Sequence, residues 1–333
     1  MNSSNNLSFQ NHFFATMHSK MSIAAIFISF IGLLANIYIL YVLISDTYFH
    51  KTTYYLIRIS VFSDIISTSA SIGGYIQIAG KTLDHIGGTL MCKYFIFIIY
   101  TSYGISMMTL CLISIDRYYD IIKPYCHFYR FHKTHILIVS ETTIWLVAIS
   151  VNLPILSAVR TYQNYPLVCD FPPFSQSVRL FMVIFISILY IIPSFITGTV
   201  YLRIVLHQRN FIWPGEIAEN QMRQRRSKKK KFVKMLSSIA LSNILITWPL
   251  FATLLGMTIT QKSHLQLMTG NIIVYIMTFF SVSFTTSISI ISPFLYLLFD
   301  CNIRNRSKHI LTQLCKLNGK STFIVRNFSL GKT

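Results

Sequence analysis

Apolar residues gather in seven stretches, each long enough to cross the roughly 30 Å hydrocarbon core of a bilayer. They predict membrane-spanning helices over 22–44, 54–78, 91–122, 136–158, 177–207, 232–257 and 269–299. Some twenty mostly polar residues precede the first, which lacks the basic start and small-residue cleavage site of a signal peptide and reads as a retained anchor. At the inner end of the third stretch stands Asp116-Arg117-Tyr118. Charge beside lipid is costly unless it faces a bundle interior or water, so this triplet points to signal transduction.

The short loops give the orientation. Lys51, then Lys123, Arg130 and Lys133, then Arg209, Arg223 and Lys228–Lys231, then Arg304, Arg306 and Lys308 follow the odd-numbered stretches. The opposite loops carry only Lys81, Arg160 and Lys262, offset by Asp84 and Asp170. The excess of bases marks the cytoplasmic side and puts the amino terminus outside. Asn2 and Asn6 then head glycosylation sequons in the compartment that can use them. The expected organisation is an all-α seven-helix bundle over 22–299, an extracellular segment at 1–21, and an amphipathic membrane-parallel eighth helix with a cytoplasmic tail at 300–333.

Composition agrees with an integral membrane protein: 53% of residues are hydrophobic, 12% are charged and the mean hydropathy is +0.54. A formal net charge of +19 would suit nucleic acid, but the bases fall where the topology sets them against the anionic inner leaflet, so lipid is the expected partner. The cysteines divide by side. Cys92 and Cys169 both fall outside, where a disulfide can form and staple the loop between the fourth and fifth helices over the bundle. Cys315, on a basic stretch after the last helix, is a candidate for palmitoylation. No metal-ligand spacing or nucleophile-and-base set marks an enzyme, and no repeat between the two halves marks a transporter.

The motifs fall one set per helix, in order: Gly32 with Ala35-Asn36; Ser60-Val61-Phe62-Ser63-Asp64; Cys92 with Asp116-Arg117-Tyr118, Ile121 and Pro124; Trp145 and Pro154; Pro193 and Tyr201; Trp248-Pro249; Ser292-Pro293-Phe294-Leu295-Tyr296. Together they resemble a rhodopsin-like (class A) G-protein-coupled receptor over nearly the whole chain. The resemblance implies a plasma-membrane receptor whose sixth helix swings outward at its inner end to admit a heterotrimeric G protein. It assigns this movement to Asp116, Arg117, Tyr118, Tyr201, Trp248, Pro249, Pro293 and Tyr296, with Arg117 paired to Asp116 at rest. Proline inside a membrane helix frees a carbonyl and permits the bend such a movement needs.

The resemblance also implies a sodium site at Asp64, Ser106 and Ser289, with Ser292 in place of the family's asparagine. Other departures are local. Trp248 directly precedes Pro249, so a rotation of about 100° per residue turns the indole off the expected face and leaves Thr247 in its place. Asn243 stands where the family packs a phenylalanine, and Lys229 stands where an acid often locks the arginine. Outside the family pattern, Arg58 and Glu141 are both expensive near lipid on neighbouring helices, and they are expected to pair.

Ile99 occupies the position of the amine receptors' aspartate and Thr286 that of the opsin lysine, so neither a protonated amine nor retinal fits the family's mode. The same spacing lines the pocket with Tyr75, Gln77, Ile99, Tyr100, Tyr103, Met182, Phe185, Phe251 and Val282, an aromatic and uncharged set. With a hairpin-forming loop around Cys169, this favours a peptide ligand, amidated ones included, as in a neuropeptide receptor. A lipid or apolar small molecule is the alternative, and a seven-helix transporter a more distant one.

Overall fold

The computed structural model of the chain describes residues 3–80, 82–163, 165–171, 175–210, 219–263, 266, 272–310 and 312–313. Seven long helices follow the seven apolar stretches: α1 (Ser3–Ser45), α2 (Thr52–Gly80), α3 (His85–Ile121), α4 (His127–Ala158), α5 (Gln176–Gln208), α6 (Glu219–Thr260) and α7 (Ile272–Phe299). A short α8 (Cys301–Ile310) comes after α7. Among the described residues, six helices are individually long and apolar enough to cross a bilayer. The seventh passes that test when Thr286–Phe299 is taken together with α8, from which it is bent by 92°.

Two ends depart from expectation. The helix of α1 begins at Ser3, so most of the segment read as a polar leader to the bundle is helical, although only Ser19–Ser45 is apolar enough to span. α6 begins at Glu219 and carries the basic run Lys228–Lys231 before its apolar part starts at Val233. Hydropathy marks where a helix enters lipid, whereas backbone hydrogen bonding continues past that point.

The central helix is α3, with 72% of its most apolar window buried against 22% for α1 and for α4. Close approaches are set by small residues. A Cβ added to Gly32 would come within 2.6 Å of Ile290 Cγ1, so only glycine lets α1 lie this close to α7. Bends fall at identifiable places. α4 breaks at Leu153–Pro154, and α5 runs through a π-helical turn at Ser187–Ile191 just before Pro193, which has no N–H for the ladder. α6 and α7 contain Pro249 and Pro293.

The sharp turn into α8 is capped by Asp300, whose Oδ1 accepts from the Asn302 N–H at 2.8 Å and the Ile303 N–H at 3.3 Å. Its other oxygen accepts from the Tyr54 hydroxyl on α2 at 3.0 Å. Tyr38 on α1 bonds the Ser307 hydroxyl at 2.5 Å, and Arg306 pairs with Asp46 of the first inner loop at 3.2 Å. α8 is therefore fixed across the inner ends of α1 and α2.

On the outer side, β1 (Arg160–Tyr162) and β2 (Tyr165–Asp170) form the expected antiparallel hairpin, with Arg160 opposite Asp170 and Tyr162 opposite Tyr165.

Candidate functional site

The inner end of α3 carries a closed set of charges. Asp116 is fully buried; one carboxylate oxygen takes the Arg117 guanidinium, and the other takes Lys133 Nζ at 2.7 Å and the Tyr129 hydroxyl at 2.8 Å. Asp120, one turn on, accepts Arg117 at 3.1 Å and Lys133 at 2.9 Å. Thr53 of α2 also receives the Arg117 guanidinium and donates to Asp116 at 3.4 Å. Two acids and two bases thus alternate around one cluster, so desolvation of each charge is offset by an opposite charge in contact. The expected pairing of Arg117 with Asp116 is present. Sequence reasoning missed Asp120, Tyr129 and Lys133 as members: a loop geometry decides which residues 13 and 17 positions beyond Asp116 return to it. Tyr118 packs partly buried at the edge, its ring 5.9 Å from that of Tyr119.

Tyr201 on α5 and Tyr296 on α7 are buried in the apolar layer directly above this cluster, together with Leu110, Ile113, Leu236 and Ile239. The Tyr201 hydroxyl is buried without a partner, while that of Tyr296 faces Ser60 and Asp64. On α6 the register shift at Trp248 has the expected consequence. The indole is 53% exposed on the outward face, and Thr247 is fully buried in its stead. Thr247 accepts from the Tyr103 hydroxyl at 3.2 Å and donates to Asn243 O at 2.7 Å. Trp248 therefore does not face the bundle interior, and Thr247 occupies that place. Asn243 is buried with its Oδ1 unpartnered.

The middle of the bundle holds a polar layer. Asn36 donates to Gly32 O at 3.0 Å and to Ser289 O at 2.6 Å, tying α1 to α7. Asp64 lies beside the Ser289 hydroxyl, and its Oδ2 is buried without a partner. Ser60 and Ser106 share a hydrogen bond of 2.9 Å one turn below. An orphaned carboxylate oxygen with serine hydroxyls around it is the donor set a small hard cation takes. Ser292 is the poorest member, since its hydroxyl donates to Ile288 O on its own helix at 3.0 Å.

The outer end is closed by the Cys92–Cys169 disulfide, with Cα atoms 5.4 Å apart, which holds β2 against α3. Thr161 of β1 bonds Thr89 at 2.6 Å and His85 at 3.2 Å on α3. Tyr162 reaches both Asp170 at 2.8 Å and Ser263 beyond α6 at 3.3 Å, and burial there pushes its phenol above the ordinary tyrosine range. The hairpin is thus a lid tied to two helices.

Beneath it Ile99, Tyr100, Tyr103, Met182, Phe185 and Phe251 form one buried cluster, as the family spacing predicts. The Phe185 ring lies 5.4 Å from Tyr100 and 6.4 Å from Phe251, which in turn is 5.4 Å from Tyr103. Tyr190, absent from the sequence-derived set, stacks on Phe251 at 4.4 Å and donates to Ile244 O at 3.2 Å. Tyr75 sits apart, edge-on to Phe95 at 6.2 Å, with Thr286 3.4 Å from its hydroxyl. Gln77 turns to the rim and accepts from Thr82 at 2.8 Å. The side chains of Val282 and Asn6, and residues Asn2 and Cys315, lie outside the described residues.

The expected Arg58–Glu141 ion pair does not form. Arg58 donates to Leu43 O at 2.6 Å and Phe49 O at 3.1 Å, satisfying carbonyls left open where α1 ends. Glu141 accepts from the Thr109 hydroxyl of α3 at 3.0 Å, with the Trp145 indole beside it. Each costly group finds neutral partners nearer than the other charge.

The family model "7 transmembrane receptor (rhodopsin family)" matches residues 35–296. The chain is similar to the G-protein coupled receptor homolog C3 of Swinepox virus (strain Kasza), 26% identical over 253 residues that make up 70% of this chain and 86% of that protein. It is also 26% identical over 245 residues to a QRFP-like peptide receptor of Branchiostoma floridae, covering 70% of this chain and 61% of the relative. Galanin receptor 2a of Danio rerio is 28% identical over 164 residues, 48% of this chain and 43% of the relative. With the family model spanning all but the chain's two ends, and with the disulfide and the inner arginine cluster in place, the protein belongs to the rhodopsin family of seven-transmembrane receptors.

Proposed function

We propose that this receptor sits in the plasma membrane with its amino terminus outside, takes a peptide beneath the hairpin lid, and activates a heterotrimeric G protein. Outward movement of the inner end of α6 is the transducing step. The observation that carries the reading is Arg117 held by Asp116 and Asp120 under the buried Tyr201 and Tyr296. A ligand that favours the open arrangement releases the guanidinium to a partner, a bias between two states of the bundle. Pro249 and Pro293 supply the bends. The peptide class is supported by the hairpin lid and by the likeness to a QRFP-like peptide receptor. The apolar aromatic cluster favours the second reading, a lipid or apolar small molecule.

Asp64, Ser289 and Ser106 would hold a sodium ion, whose charge offsets the buried carboxylate and stabilises the resting packing of α2, α3 and α7. Asn2 and Asn6 would carry glycans outside, and Cys315 a palmitoyl chain inside.

The test is ligand-stimulated guanine-nucleotide exchange on membranes from cells expressing the full chain, with a peptide library as the probe. Arg117→Ala is expected to abolish stimulated exchange while surface abundance stays near normal. Full exchange in that variant, or uptake of a radiolabelled solute with no exchange, would overturn the proposal.

A further inference from the structure

The outer segments contain Lys20, Lys81, Lys93, Arg160, Arg179 and Lys262, but only two acids, Asp84 and Asp170. Both acids are already engaged. Asp84 caps α3 through the Gly87 N–H at 2.8 Å, and Asp170 is fully buried beneath Tyr162 and the Phe171 N–H at 2.7 Å. All five ion pairs among the described residues lie at the cytoplasmic side.

Among the described members of this set, Arg179 stands out. It lies on α5 at i−3 from Met182 and i−7 from Ile186, both buried in the aromatic cluster, while its neighbours Leu180, Val183 and Ile184 face outward. Its Nε is buried and has no hydrogen-bond partner. An arginine near a helix end can run its head to the interface; this one is partly exposed, yet it stands on the helix face that buries Met182 and Ile186, about one turn above the ligand cluster, with its Nε sealed from solvent. A guanidinium is a planar fork matched to a carboxylate, and a buried N–H without an acceptor is costly until one arrives.

We infer that Arg179 receives a carboxylate of the ligand, so that the natural agonist carries a free acid, at its carboxyl end or on a side chain, above an apolar portion that enters the aromatic cluster. This rests on the reading of the outer end as the ligand's mouth. It narrows the peptide class, which included amidated members, to free acids: the lining is uncharged, but its rim is cationic.

The test uses cells expressing the full chain and three probes: short synthetic peptides with free carboxylates, the same sequences amidated with Asn and Gln for Asp and Glu, and long-chain fatty acids. Nucleotide exchange is the readout, and a surface tag reports abundance. Activating members are expected among the free-acid peptides, and Arg179→Gln is expected to weaken their potency roughly ten- to a hundredfold. Arg179→Lys, which keeps the charge but not the fork, should lose less. Activation by fatty acids alone that is lost in Arg179→Gln would uphold the carboxylate contact and overturn the peptide reading. Equal activation by the amidated set, unchanged potency in Arg179→Gln, or no activation by any probe would overturn the inference. The receptor reading would still stand in each case if basal exchange falls with Arg117→Ala.

Discussion

The two ends of the bundle are fastened by different chemistry. At the inner end Asp116, Arg117, Asp120 and Lys133 satisfy one another's charges, and Arg306 holds Asp46 beside them. At the outer end a disulfide and neutral hydroxyl contacts hold the lid, and the cations among the described residues there make no ion pair. Ion pairs that must open and close define a conformational state, because each contributes only modestly and can be traded for another partner. A covalent bond cannot be traded, so it fixes the shape of the outer end, as the ligand mouth proposed there would require.

The contrast is broken most severely at the covalent end. Cys92→Ser opens a link between residues 77 positions apart, for which loop-closure entropy in the unfolded chain gives about 4 kcal/mol. Surface abundance should fall several-fold, and what remains should show weak ligand-stimulated exchange. Treatment with reductant should reproduce the loss, whereas raising salt should not. Normal abundance and response in this variant would mean that the hairpin's hydrogen bonds suffice.

At the electrostatic end the sign of each change follows from counting charges around Arg117. Asp116→Asn removes the fully buried carboxylate and leaves the guanidinium with Asp120, which is about one-third exposed. Basal exchange should rise on the order of tenfold, since a buried partner is lost. Lys133→Gln acts in the opposite sense: two carboxylates then face Arg117 alone and hold it more tightly, so basal exchange should fall roughly threefold. That effect is smaller because Lys133 and Asp120 are partly exposed and screened. A rise in basal exchange with Lys133→Gln would show that the lysine serves to dock the second inner loop and not to compete for the acids. Basal nucleotide exchange without ligand measures both variants.

Much of this was legible in the chain. Hydropathy located the helices, the side of each loop located the disulfide, and motif spacing located the aromatic cluster. What stayed hidden depended on groups that sequence does not display. Arg58 and Glu141 looked like mutual partners because both are charged, yet backbone carbonyls at the end of α1 and a threonine hydroxyl on α3 lie nearer. The lysine of the inner cluster was counted as a loop base, because folding alone brings the start of α4 back under α3. The helical continuations to Ser3 and Glu219 lie outside the stretches apolar enough to span, Ser19–Ser45 and Val233–Thr260, so hydropathy does not mark them.

The layer between the two ends gives the sharpest test of register. One residue's rotation has put Trp248 on the outward face and Thr247 in the interior, bonded to Tyr103 of the ligand cluster and to Asn243 of the same helix. A family pattern read without register would make Trp248 the residue that carries motion from mouth to inner end. The geometry puts Thr247 in that interior place. Trp248→Leu should therefore leave potency and maximal exchange within about twofold of the parent, as an outward apolar exchange does. Thr247→Val keeps the shape but removes the acceptor of the Tyr103 hydroxyl, at a cost of about 1 kcal/mol, and should change basal or stimulated exchange about fivefold. If the order were reversed, with Trp248→Leu the more damaging, α6 would have to rotate by about 100° on activation, and the separation of the two ends would run through the indole after all.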